Sequence, residues 1–257
     1  ALQGSYGPFL DGLDEFGHQP GTTIRLACRA AHGTYPGLRQ AAAELAALPV
    51  DIIVAHSQPA AAAAVRATLT IPIVAIVSGE PVGAGFAKSL AEPGGNLTGL
   101  TYYATELTAK RLELLLEMLP DLHTVGVLSN PEVGDLPFAA DTRAAAEHLG
   151  LGLVIESVSL PDELPASVGR LKAAGAEAVF ILPDLMFAAE PGRLAALALE
   201  HGLPCMAWGG WFVHAGCLMA YSSDYATMVR RLAYFVDRIL GGAAPGSLPI
   251  EQPSTLI

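Results

Sequence analysis

Apolar positions along the chain fall into two alternating kinds of run. Short β-branched runs cover residues 23–28, 50–55, 71–77, 97–102, 124–128, 152–157, 178–182, 204–208 and 217–220. Between them lie Ala- and Leu-rich stretches with amphipathic, helix-like spacing, at 8–16, 38–48, 59–68, 83–91, 105–118, 141–149, 162–174, 188–200 and 225–240. The first kind predicts strands and the second helices. The strands are apolar on consecutive positions, so both faces are expected to be covered, as in parallel sheets layered with helices. The expected class is α/β, with doubly wound parallel sheets. The chain opens on a helix followed by a strand, which implies a further strand before Ala1.

Breaks in this pattern predict two lobes. The Gly- and Asn-rich segment 92–99, the segment 220–224 and the proline-rich segment 245–253 read as joints. Lobe 1 is expected over 1–98 plus 221–248, and lobe 2 over 99–220 plus 249–257, with a ligand cleft between them. No internal repeat of 20–50 residues is visible.

Composition narrows the function. The chain has 257 residues, 52% of them hydrophobic and 15% charged, enough apolar material for a large core. With 14 basic and 25 acidic residues the net charge is −11, which repels phosphate backbones, and nucleic acid is not an expected partner. No apolar run reaches the roughly 18 residues of a membrane span, so an anchor or signal peptide would lie outside this sequence. Three cysteines, Cys28, Cys205 and Cys217, exclude complete pairing within the chain, and the latter two read as small core residues.

In parallel α/β sheets ligands sit beyond the carboxyl ends of strands. The residues predicted there are His56, Ser57 and Gln58; Ser78, Gly79 and Glu80; Ser129 and Asn130; Pro183 and Asp184; Trp208 and Gly209; Tyr221 and Ser222. Ser57-Gln58-Pro59 opens a helix, and the N–H groups of such a start hold either a plain cap or an anion. Gly79, Gly83 and Gly85 let backbone approach a ligand closely. Trp208, Trp211 and Phe212 form either ordinary packing or an aromatic wall. No Arg or Lys falls at a predicted strand end, so a phosphate ester finds no counter-ion. The dinucleotide fingerprint fails at its third glycine, there is no phosphate-binding GxxxxGK[ST] loop, and the seven histidines show no metal-ligand spacing. No cofactor, metal or catalytic residue is expected.

Several stretches taken in order carry a resemblance. They are VDIIVAHSQPAAAAA at 50–64, IPIVAIVSGEPVGAG at 71–85, PGGNLTGLT at 93–101, ELTAKRLELLLEMLP at 106–120, VGVLSN at 125–130, AVFILPD at 178–184, FVHAGCLMAY at 212–221, and the ending over 234–253. Together they resemble the ABC-transporter substrate-binding family that includes tryptophan- and tyrosine-binding lipoproteins of bacterial importers. The resemblance implies a type I periplasmic-binding-protein fold, no catalysis, a small-molecule ligand held by both lobes, and permease subunits as partners. It places the protein in the periplasm, or outside the cytoplasm on a membrane anchor. Two positions depart from the family's amino-acid binders. Asp184 is followed by Leu185 where Asp-Asn is usual, and Glu80 stands before Pro81 where Asp is frequent.

The ligand-binding set expected is Ser57, Gln58, Ser78, Gly79, Glu80, Asn130, Asp184, Trp208, Tyr221 and Ser222, closing on an amino acid or an aromatic carboxylate. A two-domain enzyme such as a racemase, or a ligand-sensing regulatory domain, stands as the alternative.

Overall fold

The computed structural model describes residues 3–78, 81–102, 106–133, 138–253 and 255–257. The chain divides into two compact units, Ala1–Tyr102 with Ser223–Leu256, and Tyr103–Ser222 with Ile257.

The first unit is built on a parallel sheet in the order β1 (Ile53–Ala55), β2 (Ile73–Ser78), β3 (Leu97–Tyr102). Residues along β2 alternate between two cores. Val74 and Ile76 pack with Phe9 and Leu13 of helix α1 (Gln3–Glu15) and with Met228, Leu232 and Phe235 of α10 (Tyr225–Leu240). Ile73, Ala75 and Val77 face Ala61 and Ala64 of α3 (Gln58–Ala67). This two-sided burial is why the strand reads as an unbroken apolar run. Helix α2 (Tyr35–Ala46) packs on α3. Gly12 lets α1 approach α10 closely, because a Cβ there would meet the Arg230 carbonyl oxygen at 2.6 Å.

The second unit carries five parallel strands in the order β5 (Gly152–Ser157), β4 (Thr124–Ser129), β6 (Ala178–Ile181), β7 (Cys205–Ala207), β8 (Met219–Ala220). The chain leaves β4 first to one side and then to the other, so the strand order reverses between β4 and β6. Helices α4 (Glu106–Met118), α5 (Phe138–Leu149), α6 (Leu164–Ala173), α7 (Leu185–Ala189), α8 (Pro191–Glu200) and α9 (Gly210–His214) complete the unit. Its main core gathers Leu171, Val179, Ile181, Phe187, Leu194 and Phe212.

Four expectations are corrected. Residues 23–28 form no strand: Ile24 makes a single bridge to Pro20, and most of the segment is exposed. Strand propensity without a ladder partner or a face to bury does not hold a strand. Residues 83–91 form turns rather than a helix. Gly85 takes a φ of +75°, and its N–H donates to Val82, closing a turn. The helix expected over 188–200 is two helices, divided at Glu190, because the residue before Pro191 is driven out of helical geometry. The tail beyond residue 248 packs on the first unit up to Leu256: Glu251 donates to the Gly99 carbonyl, and Thr101 donates to the Glu251 carbonyl.

The chain passes between units at Tyr102–Tyr103, Ser222–Ser223 and Leu256–Ile257. The segment 92–99 is therefore not a crossing, and it leads into β3 within the first unit. At the other two crossings Ser222 and Ile257 exchange both backbone hydrogen bonds, and Ser223 bridges Leu256 in antiparallel fashion.

Candidate functional site

In the second unit, the reversal of strand order brings two predicted residues to adjacent strand ends. Asn130 follows β4 and is 5% exposed, its Oδ1 accepting the Glu132 N–H at 2.9 Å. Asp184 lies beyond β6 and is 8% exposed. Its Oδ1 accepts the Met186 and Phe187 N–H groups at 2.8 and 3.1 Å, capping α7. Both side chains are thus oriented by local turns, the fixed geometry that a binding group requires.

Two further strand ends of this unit carry the remaining predicted groups. Trp208 follows β7 but is 7% exposed, its ring 4.6 Å from Phe212 and edge-on to Trp211 at 6.1 Å. It is chiefly a core residue, and Trp211 is the half-buried member of the cluster. Gly209 lies beneath Trp211: a Cβ there would stand 2.3 Å from the ring, which would have to shift. Tyr221 is half-buried beyond β8, and Ser222 is buried at the crossing.

Sequence reasoning missed two features here. Cys205 and Cys217 are not free thiols but a disulfide, with Cα atoms 5.0 Å apart, spanning the segment that carries Trp208 and Trp211. As a disulfide, neither can act as the proton-carrying thiol of a two-cysteine racemase. The second is Arg111 of α4, 2% exposed, whose Nε donates to the Tyr221 carbonyl at 2.7 Å. A cation therefore does reach a strand end, delivered by a helix. The signal lay in α4 itself: Thr108, Arg111, Leu112 and Leu115 share one helical face, and all four are buried.

In the first unit, Ser57 lies beyond β1 and caps α3, its Oγ accepting the Ala60 N–H at 3.4 Å. Gln58 and Pro59 open the helix, as the sequence predicts. Ser78 closes β2 opposite Tyr102 in register. Gly79 and Glu80 lie outside the described residues.

His56 stands between β1 and the Ser57 cap, with Tyr6 Oη 2.9 Å from Nε2 and Tyr225 Oη 3.1 Å from Nδ1. Burial pushes the His56 pKa below its ordinary value and raises those of Tyr6 and Tyr225. Among the described residues no group of three or more His, Cys, Asp or Glu side chains is gathered as for a metal ion.

These strand ends can be set beside known proteins. A tyrosine-binding protein of Clostridioides difficile (strain R20291) is 26% identical over 243 residues, 94% of this chain and 70% of that protein. A conserved domain protein of Vibrio cholerae O1 biovar El Tor strain N16961 has a solved structure that matches with a TM-score of 0.88. It is 27% identical, over 100% of this chain and 86% of that one. The ABC domain from Streptococcus pneumonia, solved in complex with L-Trp, matches with a TM-score of 0.87 at 22% identity, over 98% of this chain and 84% of that one. At that identity the likeness is one of fold. The model of the family described as ABC transporter substrate binding protein matches residues 1–256, and the chain belongs to that family.

Proposed function

We propose that the chain captures a small amino-acid or aromatic carboxylate outside the cytoplasmic membrane and hands it, chemically unchanged, to the permease subunits of an importer. The observation that carries this reading is the pair of buried, locally oriented groups Asn130 and Asp184, on the neighbouring strands where the order of the second sheet reverses. Such reversals are where open parallel sheets bind ligands. Acceptors of this kind suit an amino group or hydroxyls.

In the same reading, the Ser57-capped start of α3 takes the carboxylate. Gln58, Ser78, Gly79, Glu80, Tyr221 and Ser222 complete the polar set. Trp208 and its aromatic cluster favour a flat ligand. The tyrosine-binding relative supports the same ligand class. The Cys205–Cys217 disulfide suits an oxidising compartment outside the cytoplasm. Among the described residues no helix is long and apolar enough to cross a membrane.

A thermal-shift screen followed by calorimetry tests the reading, with L-tyrosine, L-tryptophan, aromatic acids and sugars as probes. Binding of at least one carboxylate, recovered intact by mass spectrometry, is expected. A response to sugars alone, or recovery of a chemically altered ligand, overturns it.

A further inference from the structure

His56 joins β1 to the Ser57 cap of α3, and its ring is held at both nitrogens. Tyr6 comes from α1 and Tyr225 is the first residue of α10. The Tyr225 hydroxyl, besides facing Nδ1, donates to the backbone carbonyl of His56 itself. The Tyr6 ring meets the imidazole edge-on, with centroids 5.2 Å apart and planes at 80°.

One proton arrangement satisfies the three hydrogen bonds described among these groups. Tyr225 has a single hydroxyl proton and gives it to the His56 carbonyl. Toward Nδ1 it then acts only as an acceptor, so Nδ1 carries the ring proton. Nε2 is bare and accepts the hydroxyl proton of Tyr6. The other neutral tautomer would leave a bare Nδ1 facing a hydroxyl whose proton is already committed. A protonated ring would place a charge where burial disfavours it. Among the described residues no carboxylate lies within ion-pair distance of His56. Among the described residues the titratable groups around it include Tyr6 and Tyr225, with Tyr102 of β3 acting on Tyr225 and the Cys28 thiol on Tyr6.

We propose that Tyr6 and Tyr225 lock His56 as the neutral Nδ1–H tautomer, and that His56 thereby holds the β1–α3 turn so that the Ser57 cap and the first-turn N–H groups of α3 are set for the ligand. This rests on the functional reading above, and it makes all three positioning residues rather than ligand contacts. It also ties the start of α10, just after the crossing at Ser222–Ser223, to the turn that opens α3. The ligand's first-unit contacts are then aligned by residues drawn from three distant parts of the chain.

The test uses the whole protein, with Tyr6→Phe and Tyr225→Phe, which keep the rings and remove the hydroxyls. Nitrogen-15 NMR of the wild-type imidazole should show the Nδ1–H form, still neutral at about pH 6.5, where a free histidine is half protonated. Tyr225→Phe should shift the ring toward the Nε2–H form and move the amide signals of Ser57 and Ala60. Calorimetry with L-tyrosine and L-tryptophan should show affinity weakened roughly 3- to 10-fold in each variant, the equivalent of one lost hydrogen bond. A wild-type ring in the Nε2–H form, or one titrating near pH 6.5, overturns the lock whatever the ligand. A displaced tautomer with unchanged affinity overturns the positioning role. Should the wild type bind neither amino acid, the functional reading fails separately. The Ser57 and Ala60 amides then decide: unmoved signals in Tyr225→Phe overturn the inference, and moved ones support it.

Discussion

Arg111 of α4 donates from Nε to the backbone carbonyl of Tyr221, 2.7 Å away, and is itself buried. The guanidinium gives the carbonyl just beyond β8 a buried, charged donor. A hydrogen bond from a charged donor contributes about 1.5–3 kcal/mol. Arg111→Lys, whose ammonium lacks the planar fork, should lower stability by roughly that amount. Arg111→Ala should cost more, because it also opens a cavity. Urea unfolding of both variants measures the difference, and equal stability of all three proteins would remove Arg111 from this role.

Asp184 accepts from two N–H groups at the start of α7, so its carboxylate is structural as well as a proposed ligand group. Asp184→Asn keeps an acceptor and should fold with nearly unchanged stability. Asp184→Ala should lose about 1 kcal/mol, as is usual for a removed N-cap. Comparing ligand affinity between the two separates the roles: a loss in Asp184→Asn alone reports charge, since the cap survives there.

The Cys205–Cys217 disulfide closes a loop with a sequence separation of 12. On the chain-entropy account, a loop of this length stabilises the native state by roughly 3 kcal/mol. The double variant Cys205→Ala/Cys217→Ala should unfold at a lower temperature by about that amount of stability. Mass spectrometry should count one alkylatable thiol in the unreduced, denatured protein, that of Cys28. Three alkylatable thiols would rule the bond out.

Because burial lowers the folded pKa of His56, the unfolded chain takes up a proton more readily than the native one. Stability should therefore be independent of this group well above pH 6.5 and decline as pH falls through the unfolded value of about 6.5, until the folded ring also protonates. Replacing His56 by Gln should flatten that part of the stability curve. Glu163 and Glu177 behave differently. Each accepts two backbone N–H bonds that hold its carboxyl below the ordinary range, so their contribution is lost only in more acid solution. A wild-type curve with no slope between about pH 5 and 7 would contradict the assignment to His56.

Where local pattern and tertiary environment agree, the fold was legible. Strands β3 and β5 and helix α10 have the bounds read from the chain. In α10 the signals coincide: Asp224 caps the start, Gly241 and Gly242 follow the end, and the buried face repeats at helical spacing. Residues 23–28 have strand-forming side chains, yet nothing in their own sequence says that no neighbouring strand meets them. Helix α9 has five residues and starts on Gly210, too short and too weak a helix former to leave a local pattern. The strand-end positions of Asn130 and Asp184 followed from the alternation of strands and helices. The order reversal that makes them neighbours is a property of the sheet and leaves no local mark. Tyr6, His56 and Tyr225 are separated by 50 and 169 residues, so their meeting exists only in three dimensions. The disulfide was obscured because buried cysteines and bonded ones occupy the same apolar pattern.

The packing of Met228, Val229, Leu232 and Phe235 of α10 into the first unit's core sets an order of assembly. A chain emerging from its amino end presents α1, β1, β2 and β3 early, with Val74, Ile76 and Leu100 covered on one face by α1 alone until α10 follows. The second unit, continuous from Tyr103 to Ser222 apart from Ile257, has its strands and helices available before α10 appears. The first unit must wait, its half-built sheet open to other chains or to a chaperone, and such uncovered surfaces are where aggregation starts. Of the two units, the one whose strands come earlier in the sequence is in this way the one completed later.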